Sequence, residues 1–502
     1  MKKNILLYLE DAAKETPDKI SFADSKFSFT YKQLVISSCE IGSFIAENIG
    51  ERKAVLVYME KSAKNFLAFF GAVYGGGFYV PIDPMMPIDR INRIIETISP
   101  GIIIYDDFTK KNIDNLNTDC IKIHFDDIRQ ERMKPDLLAH IREDMIDTDP
   151  LYVLFTSGST GIPKGVVVCH RSVIDYGEWL CKTFDFNKNT IFGNQTPFYF
   201  SMSVLDIYAT ICSGATLYII PKMLFSFPVR LLEFVKEKQI NSIYWVPSAL
   251  NIVANIGALD FVELPLLKKI LFAGEVMPTK QLNIWRKHLP DALYANLFGP
   301  TEITDIGVYY ILDREFADDK PIPIGKACDN VSLLVIDENG RNVSEKGKTG
   351  ELYIRGSFLA HGYYNNSAKT AEVFVQNPLN NAYPEIVYKS GDLVYWNEFG
   401  ELVYVSRKDF QIKHMGNRIE LGEIETACSA QENIDSCCCL YKKETDQIIM
   451  VYTGKAEEIE LRKKLAEKLP RYMLPNIYMP IERMPLNANG KIDRTLLKQK
   501  FA

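Results

Sequence analysis

Residues Thr156–Gly165 read T-S-G-S-T-G-I-P-K-G, after the apolar run Leu151-Tyr152-Val153-Leu154-Phe155 and before Val166-Val167-Val168. Two buried-strand signals therefore flank ten residues that hold three glycines, two serines, two threonines and one lysine, with no acid. Such a segment suits a polyanion. Glycines let the backbone approach closely, hydroxyls and N–H groups donate, and Lys164 adds a point charge. A Ser/Thr/Gly cluster between apolar runs also fits a plain hairpin turn. The Lys-Gly pair after a proline, and the absence of Asp or Asn, favour the phosphate reading. The segment is not a Walker A loop, which needs Ser or Thr after its lysine where this chain has Gly165. The ligand implied is a nucleotide phosphate held at the end of a strand, where α/β sheets place ligands.

Working outward, 502 residues at 47% hydrophobic content exceed what one core supports, so two or more domains are expected. The net charge of −6 speaks against a nucleic-acid partner, because phosphate-backbone binding needs a positive surface. The opening apolar run Ile5–Leu9 is too short for a secretion signal before Glu10 and Asp11 intervene. Two long uncharged stretches, Asn65–Ile82 and Gln239–Leu259, carry glycines, prolines and asparagines that fit buried helix, turn and strand better than membrane spans. A soluble, cytoplasmic enzyme is the expectation. Ten cysteines are too dilute for a disulfide scaffold. Cys437-Cys438-Cys439 reads as a buried strand of reduced thiols, since successive strand residues face opposite ways and cannot converge on one ion.

Along the chain, helices alternate with short apolar strands: Gln33–Ile49 helix, Lys53–Tyr58 strand, Ala63–Val73 helix, Tyr79–Ile82 strand, Asp89–Ile98 helix, Gly101–Tyr105 strand. The rhythm predicts a layered α/β fold with mostly parallel strands. Residues 106–150 are polar and deliver the chain to the phosphate loop. Beyond it the alternation resumes, with strands predicted at Thr216–Ile220, Ser242–Val246, Lys269–Phe272 and Leu293–Leu297, and Gly or an acid just past several strand ends. Short β-runs between 321 and 404 predict an antiparallel subdomain. The expected organisation is a large layered α/β N-terminal domain over 1–407, a hinge at 408–409, and a small, mobile α+β C-terminal domain over 410–502.

Several motifs then agree in order: Phe298-Gly299-Pro300-Thr301-Glu302, Gly350-Glu351-Leu352, Tyr388-Lys389-Ser390-Gly391-Asp392, Arg407-Lys408-Asp409-Phe410-Gln411-Ile412-Lys413, Asn417-Arg418-Ile419-Glu420-Leu421 and Asn489-Gly490-Lys491. With them the chain resembles, over nearly its whole length, the adenylate-forming superfamily. Within that superfamily it is similar to nonribosomal peptide synthetase adenylation domains and D-alanine–carrier protein ligases.

The resemblance implies that ATP and a carboxylate give an acyl-adenylate and pyrophosphate, and that a thiol then captures the acyl group. It implies roles residue by residue. Thr156, Ser157, Gly158, Ser159, Thr160 and Lys164 would hold the β- and γ-phosphates, and Glu302, beside Thr301, would be the Mg²⁺ ligand. Phe298 would stack on adenine and Asn296 read its amino edge. Asp392 would take the ribose hydroxyls and Arg407 support ribose and phosphate, while Gly274, Glu275 and Gly299 complete the nucleotide site. Lys491 would stabilise charge in the first step. Asp409 would be the hinge, and Gly416 would lie by the thiol's tunnel. One departure is Ser406, where the family usually has glycine before this arginine.

The same resemblance outlines an acid pocket: Phe200, Ser201, Met202, Leu205, Tyr244, Leu271, Ala273, Leu297, Asp305 and Ile306. Amino-acid-activating members carry Asp where this chain has Ser201, and that Asp pairs the substrate's α-ammonium. Burying an ammonium without a carboxylate costs several kcal/mol, so Ser201 argues against the usual α-amino-acid pose. Asp305, the one acid among these positions, is expected to take an amine or hydroxyl, favouring a β- or ω-amino acid, or an aryl or hydroxy acid. D-alanine is the alternative. The chain's end soon after Lys491 suggests a free-standing enzyme acting on a separate phosphopantetheinylated carrier protein. Acyl-CoA synthetase is the competing enzyme class. A non-catalytic nucleotide-binding relative is disfavoured because Lys164, Glu302 and Lys491 are all present.

Overall fold

The computed structural model describes residues 2–128, 133–157, 163–318, 320–408, 411–431, 433–485 and 492–502. Among them, the helix Tyr31–Ile49 shows how local signals set an element. Thr30 accepts from the Gln33 N–H while the Gln33 side chain accepts from the Thr30 N–H, a capping box that satisfies two orphan donors. Leu34, Ile41 and Ile45 then fall on one buried face. This helix crosses the helix Lys64–Tyr74 at very close range. A Cβ on Gly42 would lie 2.6 Å from the Tyr74 Cβ, and one on Gly71 2.4 Å from the Ile41 Cγ2. Alanine at either glycine would cost about 1–3 kcal/mol by overpacking.

Two large sheets sandwich much of the main core. In the first, six strands run parallel in the order Leu293–Phe298, Lys269–Phe272, Ser242–Trp245, Ile191–Asn194, Thr216–Ile219, Ile20–Ala23, with antiparallel strands at both edges. In the second, Pro150–Thr156, Phe78–Pro81, Ala54–Tyr58, Ile102–Tyr105 and Ile121–His124 run parallel. All five residues of Ala54–Tyr58 are buried, as a strand covered on both faces requires. Antiparallel strands between Val331 and Arg407 form the third sheet, in the predicted subdomain.

Two features depart from the sequence reading. The polar stretch 106–150 is not a plain connector, for it contributes the edge strand Ile121–His124 and the helix Pro135–Asp144. Only four residues long and partly exposed, that strand alternates Ile121 and Ile123 with Lys122 and His124, a run too short to stand out in a polar stretch. The phosphate loop, moreover, joins Pro150–Thr156 to Lys164–Cys169, which pair antiparallel with Thr156 opposite Lys164. The hairpin geometry and the phosphate chemistry thus occupy the same segment.

The C-terminal part is small. A hairpin, Gln411–His414 with Asn417–Glu420, leads to the helix Leu421–Ser429 and to a sheet of Ile434–Lys442, Gln447–Gly454 and Ile477–Pro480. Cys437 and Cys439 pack on one face of that sheet, with Ile424, Cys428 and Leu461. Cys438 packs on the other, with Leu497 and Ile492. All three are free thiols. Among the described residues no helix is long and apolar enough to cross a membrane.

Candidate active site

The phosphate-loop hairpin is closed tightly at its base. A Cβ on Gly165 would lie 2.9 Å from both the Phe155 ring and Val153, so only glycine fits beside the crossing strand. Thr156 Oγ1 is buried with no hydrogen-bond partner among the described residues. The Ser157 hydroxyl donates to the Arg418 carbonyl at 2.7 Å. Lys164 is buried, its Nζ 3.8 Å from Glu420 Oε1 and 5.3 Å from the centre of the Tyr363 ring. Burial, then the Arg418 charge, lowers its pKa. Gly158, Ser159 and Thr160 lie outside the described residues.

Glu302 stands in the short turn Thr301–Ile303 that follows the strand Leu293–Phe298. The turn is packed hard, since a Cβ on Gly299 would meet the Asp305 carbonyl at 2.1 Å. Glu302 is 0% exposed and Thr301 is buried beside it. Glu302 Oε1 accepts from the Tyr363 hydroxyl at 2.6 Å, and Oε2 from Arg418 Nη1 at 2.6 Å. Burial alone would raise its pKa, but Arg418 and Lys164 outweigh it and hold the carboxyl down at about 2. A buried carboxylate demands a cation, and here Arg418 supplies one. The donor set therefore suits a hard cation such as Mg²⁺, which completes its shell with phosphate oxygens and water, once the guanidinium has left. The orphaned Thr156 hydroxyl fits a phosphate in the same way.

Two of the expected nucleoside groups also meet. Asp392 and Arg407 face each other across paired strands, with Nη1 to Oδ1 at 3.1 Å. Phe298 has Lys413 Nζ 4.8 Å from its ring centre and the Tyr404 ring 5.8 Å away. Asn296 uses its amide N–H on the Pro323 carbonyl at 2.9 Å. The adenine amino group needs the opposite, acceptor end of that amide. Glu275, expected in the nucleotide site, accepts from the Ser248 N–H at 2.9 Å and the Gly416 N–H at 2.5 Å. It thus ties the C-terminal hairpin to the start of the helix Pro247–Asn255. Gly416 (φ +77) abuts Val246 and Gly274.

The acid-pocket positions divide into two groups. Leu205, Leu271, Ala273, Leu297 and Ile306 lie in the main buried core with Met202 and Tyr244, and Tyr244 pairs with Leu271 across the sheet. Phe200 and Ser201 are half-buried where the chain enters the helix Ser203–Ser213, and the Ser201 carbonyl accepts from the Val204 N–H. Asp305 is 1% exposed, which excludes a solvent-facing acid. Its Oδ2 accepts from the Tyr176 hydroxyl at 2.8 Å and the Tyr244 hydroxyl at 3.3 Å. Burial pushes its pKa well above the usual carboxylate range.

Asp305 is not the only acid here. Asp206, fully buried on Ser203–Ser213, accepts from the Asn194 amide at 2.7 Å, and its Oδ1 has no partner among the described residues. It is close enough to raise the pKa of both Tyr244 and Asp305. Burial pushes Asp206 up to about 7 and pulls the nearby Lys61 down to about 7.

Sequence reasoning missed Asp206, Tyr176, Tyr363 and the partnering role of Arg418. Asp206 left a signal, as the only charged residue in an eleven-residue helix. The tyrosines left none, standing outside the quoted motifs. Asp409 and Lys491 lie outside the described residues. Next to Lys491, Ile492 packs against the C-terminal sheet, and Arg494 pairs with Glu425 at 2.5 Å.

Three comparisons bear on this geometry. A family model described as AMP-binding enzyme matches residues 9–364. The chain is 32% identical to Zwittermicin A synthase ZmaJ of Bacillus cereus, over 97% of this chain and 93% of that protein. It is 29% identical to the D-alanine–D-alanyl carrier protein ligase of Listeria monocytogenes, over 100% and 99% respectively. Its fold matches the Vibrio cholerae adenylation domain AlmE, solved in complex with glycyl-adenosine-5'-phosphate. That match has a TM-score of 0.86 and 21% identity, and covers 100% of this chain and 98% of that one.

Proposed function

The chain belongs to the AMP-binding enzyme family, and on that premise we propose that it is a free-standing adenylation enzyme. It activates a carboxylic acid bearing a distal amine or hydroxyl, and passes the acyl group to the phosphopantetheine thiol of a separate carrier protein. Near-complete alignment with carrier protein ligases supports the free-standing reading. The observation that carries the substrate class is the buried Asp305 carboxyl, reached by two tyrosine hydroxyls, together with Ser201 at the position where amino-acid-activating members carry an acid.

In this reading Thr156, Ser157 and Lys164 bind the outer phosphates. Asp392 and Arg407 hold the ribose, and Phe298 carries adenine. Tethered in line, the substrate carboxylate attacks the α-phosphorus and pyrophosphate leaves, a step governed by positioning and charge stabilisation. Glu302 would hold Mg²⁺, whose chemistry when bound is to neutralise phosphate oxygens. Lys491, carried by the C-terminal part about the hinge Asp409, stabilises the same developing charge. The thiol then attacks the acyl carbonyl past Gly416, and AMP leaves.

A panel of acids in ATP–pyrophosphate exchange tests the reading, followed by acyl transfer to a carrier protein or to free coenzyme A. The expected result is strongest exchange with a β-, ω-amino, aryl or hydroxy acid, and transfer to the carrier. Strong exchange with an ordinary α-amino acid, unaffected by Asp305→Ala, would overturn the substrate class. D-alanine remains a second reading, favoured by the end-to-end match to its ligases; preferred exchange with D-alanine would establish it.

A further inference from the structure

Asn194 and Tyr244 stand opposite each other on neighbouring parallel strands, so their side chains leave the sheet on the same face, with the strands about 4.8 Å apart. Each holds a buried carboxyl: Asp305 accepts from the Tyr244 hydroxyl, and Asp206 from the Asn194 amide. The second pair has capacity left over. Asp206 Oδ1 and Asn194 Oδ1 are both buried acceptors without a hydrogen-bond partner among the described residues, and both residues are 0% exposed. Buried acceptors left in that state are destabilising. Lys61 does not relieve them, for its Nζ is directed to the Gln195 carbonyl at 3.1 Å. Burial favours the protonated Asp206 carboxyl, which makes the pair tolerable in the free chain, and a cationic guest would let it ionise.

We propose that Asp206 and Asn194 hold the distal amine of the substrate, and that Asp206 is a specificity-determining residue outside the expected pocket positions. The inference rests on the adenylation reading above and narrows it. Two acceptors side by side select a primary ammonium, which has three N–H donors, over a hydroxyl, which has one. Only the ammonium also brings the charge that a buried carboxylate demands. The placement of Asp206 agrees. Met202 enters the helix Ser203–Ser213 already in helical conformation, and Asp206, four residues on, shares its face. Asp206 is five residues beyond Ser201, about 7.5 Å along a helix axis. Over that distance the chain passes from half-buried to fully buried. An amine that finds no acid at Ser201 thus meets one deeper in the core, which fits a straight-chain ω-amino acid.

The test measures ATP–pyrophosphate exchange by the full chain. The probes are β-alanine and its longer straight-chain ω-amino homologues, each against the ω-hydroxy acid of the same length. Wild type should prefer the amine at its best length. Asp206→Asn should cut that preference about 100-fold, the loss of one partner of a buried charge pair. KM for the amino acid should rise, while KM for ATP and the rate with the hydroxy acid stay near wild type. Asn194→Ala should cut the preference about tenfold through the lost acceptor. Melting curves check folding, and the Asn194 variant carries the measurement if Asp206→Asn fails to fold. A folded variant that keeps the full amine preference would overturn the inference, the two oxygens then binding no more than water. So would a wild type that prefers the hydroxy acids, a result that leaves the distal-donor reading standing. Strongest exchange with an ordinary α-amino acid would instead remove that reading, and this inference with it.

Discussion

The acid pocket and the phosphate seat lie at neighbouring strand ends of the same large part, yet they handle buried charge in opposite ways. In the pocket, Asp305 is held by Tyr176 and Tyr244, and one oxygen of Asp206 by Asn194, all from the N-terminal part. In the seat, Ser157, Lys164 and Glu302 meet groups of the C-terminal hairpin. Partners built into the core cannot leave without unfolding. Partners on a docked hairpin can. A site that chooses one acid gains from the first arrangement, and a site that must be emptied and refilled every turnover needs the second.

The contrast can be broken in four ways, from the largest effect to the smallest. Lys164→Ala should lower kcat/KM for ATP–pyrophosphate exchange about 10³-fold with every acid alike, because it removes charge stabilisation and touches no selectivity. An effect that varied from acid to acid would show the two regions to be one.

The second way is acid. The unfolded chain protonates Glu302 near 4.5, whereas the native chain does not until about 2. The unfolded state therefore binds the extra proton, and stability falls as pH drops through that window, by about 3 kcal/mol in all. Denaturant melts of wild type and Glu302→Gln between pH 5 and 2 should differ by that limb, which the Gln variant lacks.

Third, Asp305→Asn should leave the melting temperature near wild type, because burial already favours the neutral carboxyl. Its preference for an amine-bearing acid over the uncharged isostere should fall about 100-fold. In wild type, KM for the amine-bearing acid should drop as pH rises and the carboxyl ionises, and the Asn variant should lose that slope. Fourth and smallest, Gly416→Ala forces a methyl to within 2.5 Å of Val246 Cγ1. Transfer to the thiol should slow about tenfold, a strain of 1–2 kcal/mol, with a lesser effect on exchange.

Much of this layout is legible in the sequence because it is local. Strand ends, the glycine-rich segment and the position of Glu302 after its Phe-Gly-Pro-Thr turn follow from contiguous residues and resemblance, whereas the pairing of Asp392 with Arg407 across two strands appears only in the fold. What stays hidden is set by tertiary meeting. Tyr363 reaches Glu302 from a two-residue strand, Gly362–Tyr363, that pairs with Lys164–Cys169. Tyr176 reaches Asp305 from the middle of the helix His170–Phe184. Neither position has a spacing or composition that marks it. Asp206 is the instructive middle case: a lone acid in an apolar helix breaks the expected pattern, and such breaks tend to sit near function.

The run of three cysteines carries a consequence of its own. Cys437 and Cys439 lie under one face of the C-terminal sheet and Cys438 under the other, beneath the helix Arg494–Phe501 that follows Lys491 in the chain. A thiol reagent can reach Cys438 only when that helix lifts, and Cys437 or Cys439 only when the opposite layer opens. The chain thus carries a two-channel clock. The labelling rate of Cys438, read against its two neighbours, times the seating of the segment next to Lys491 with no cysteine introduced.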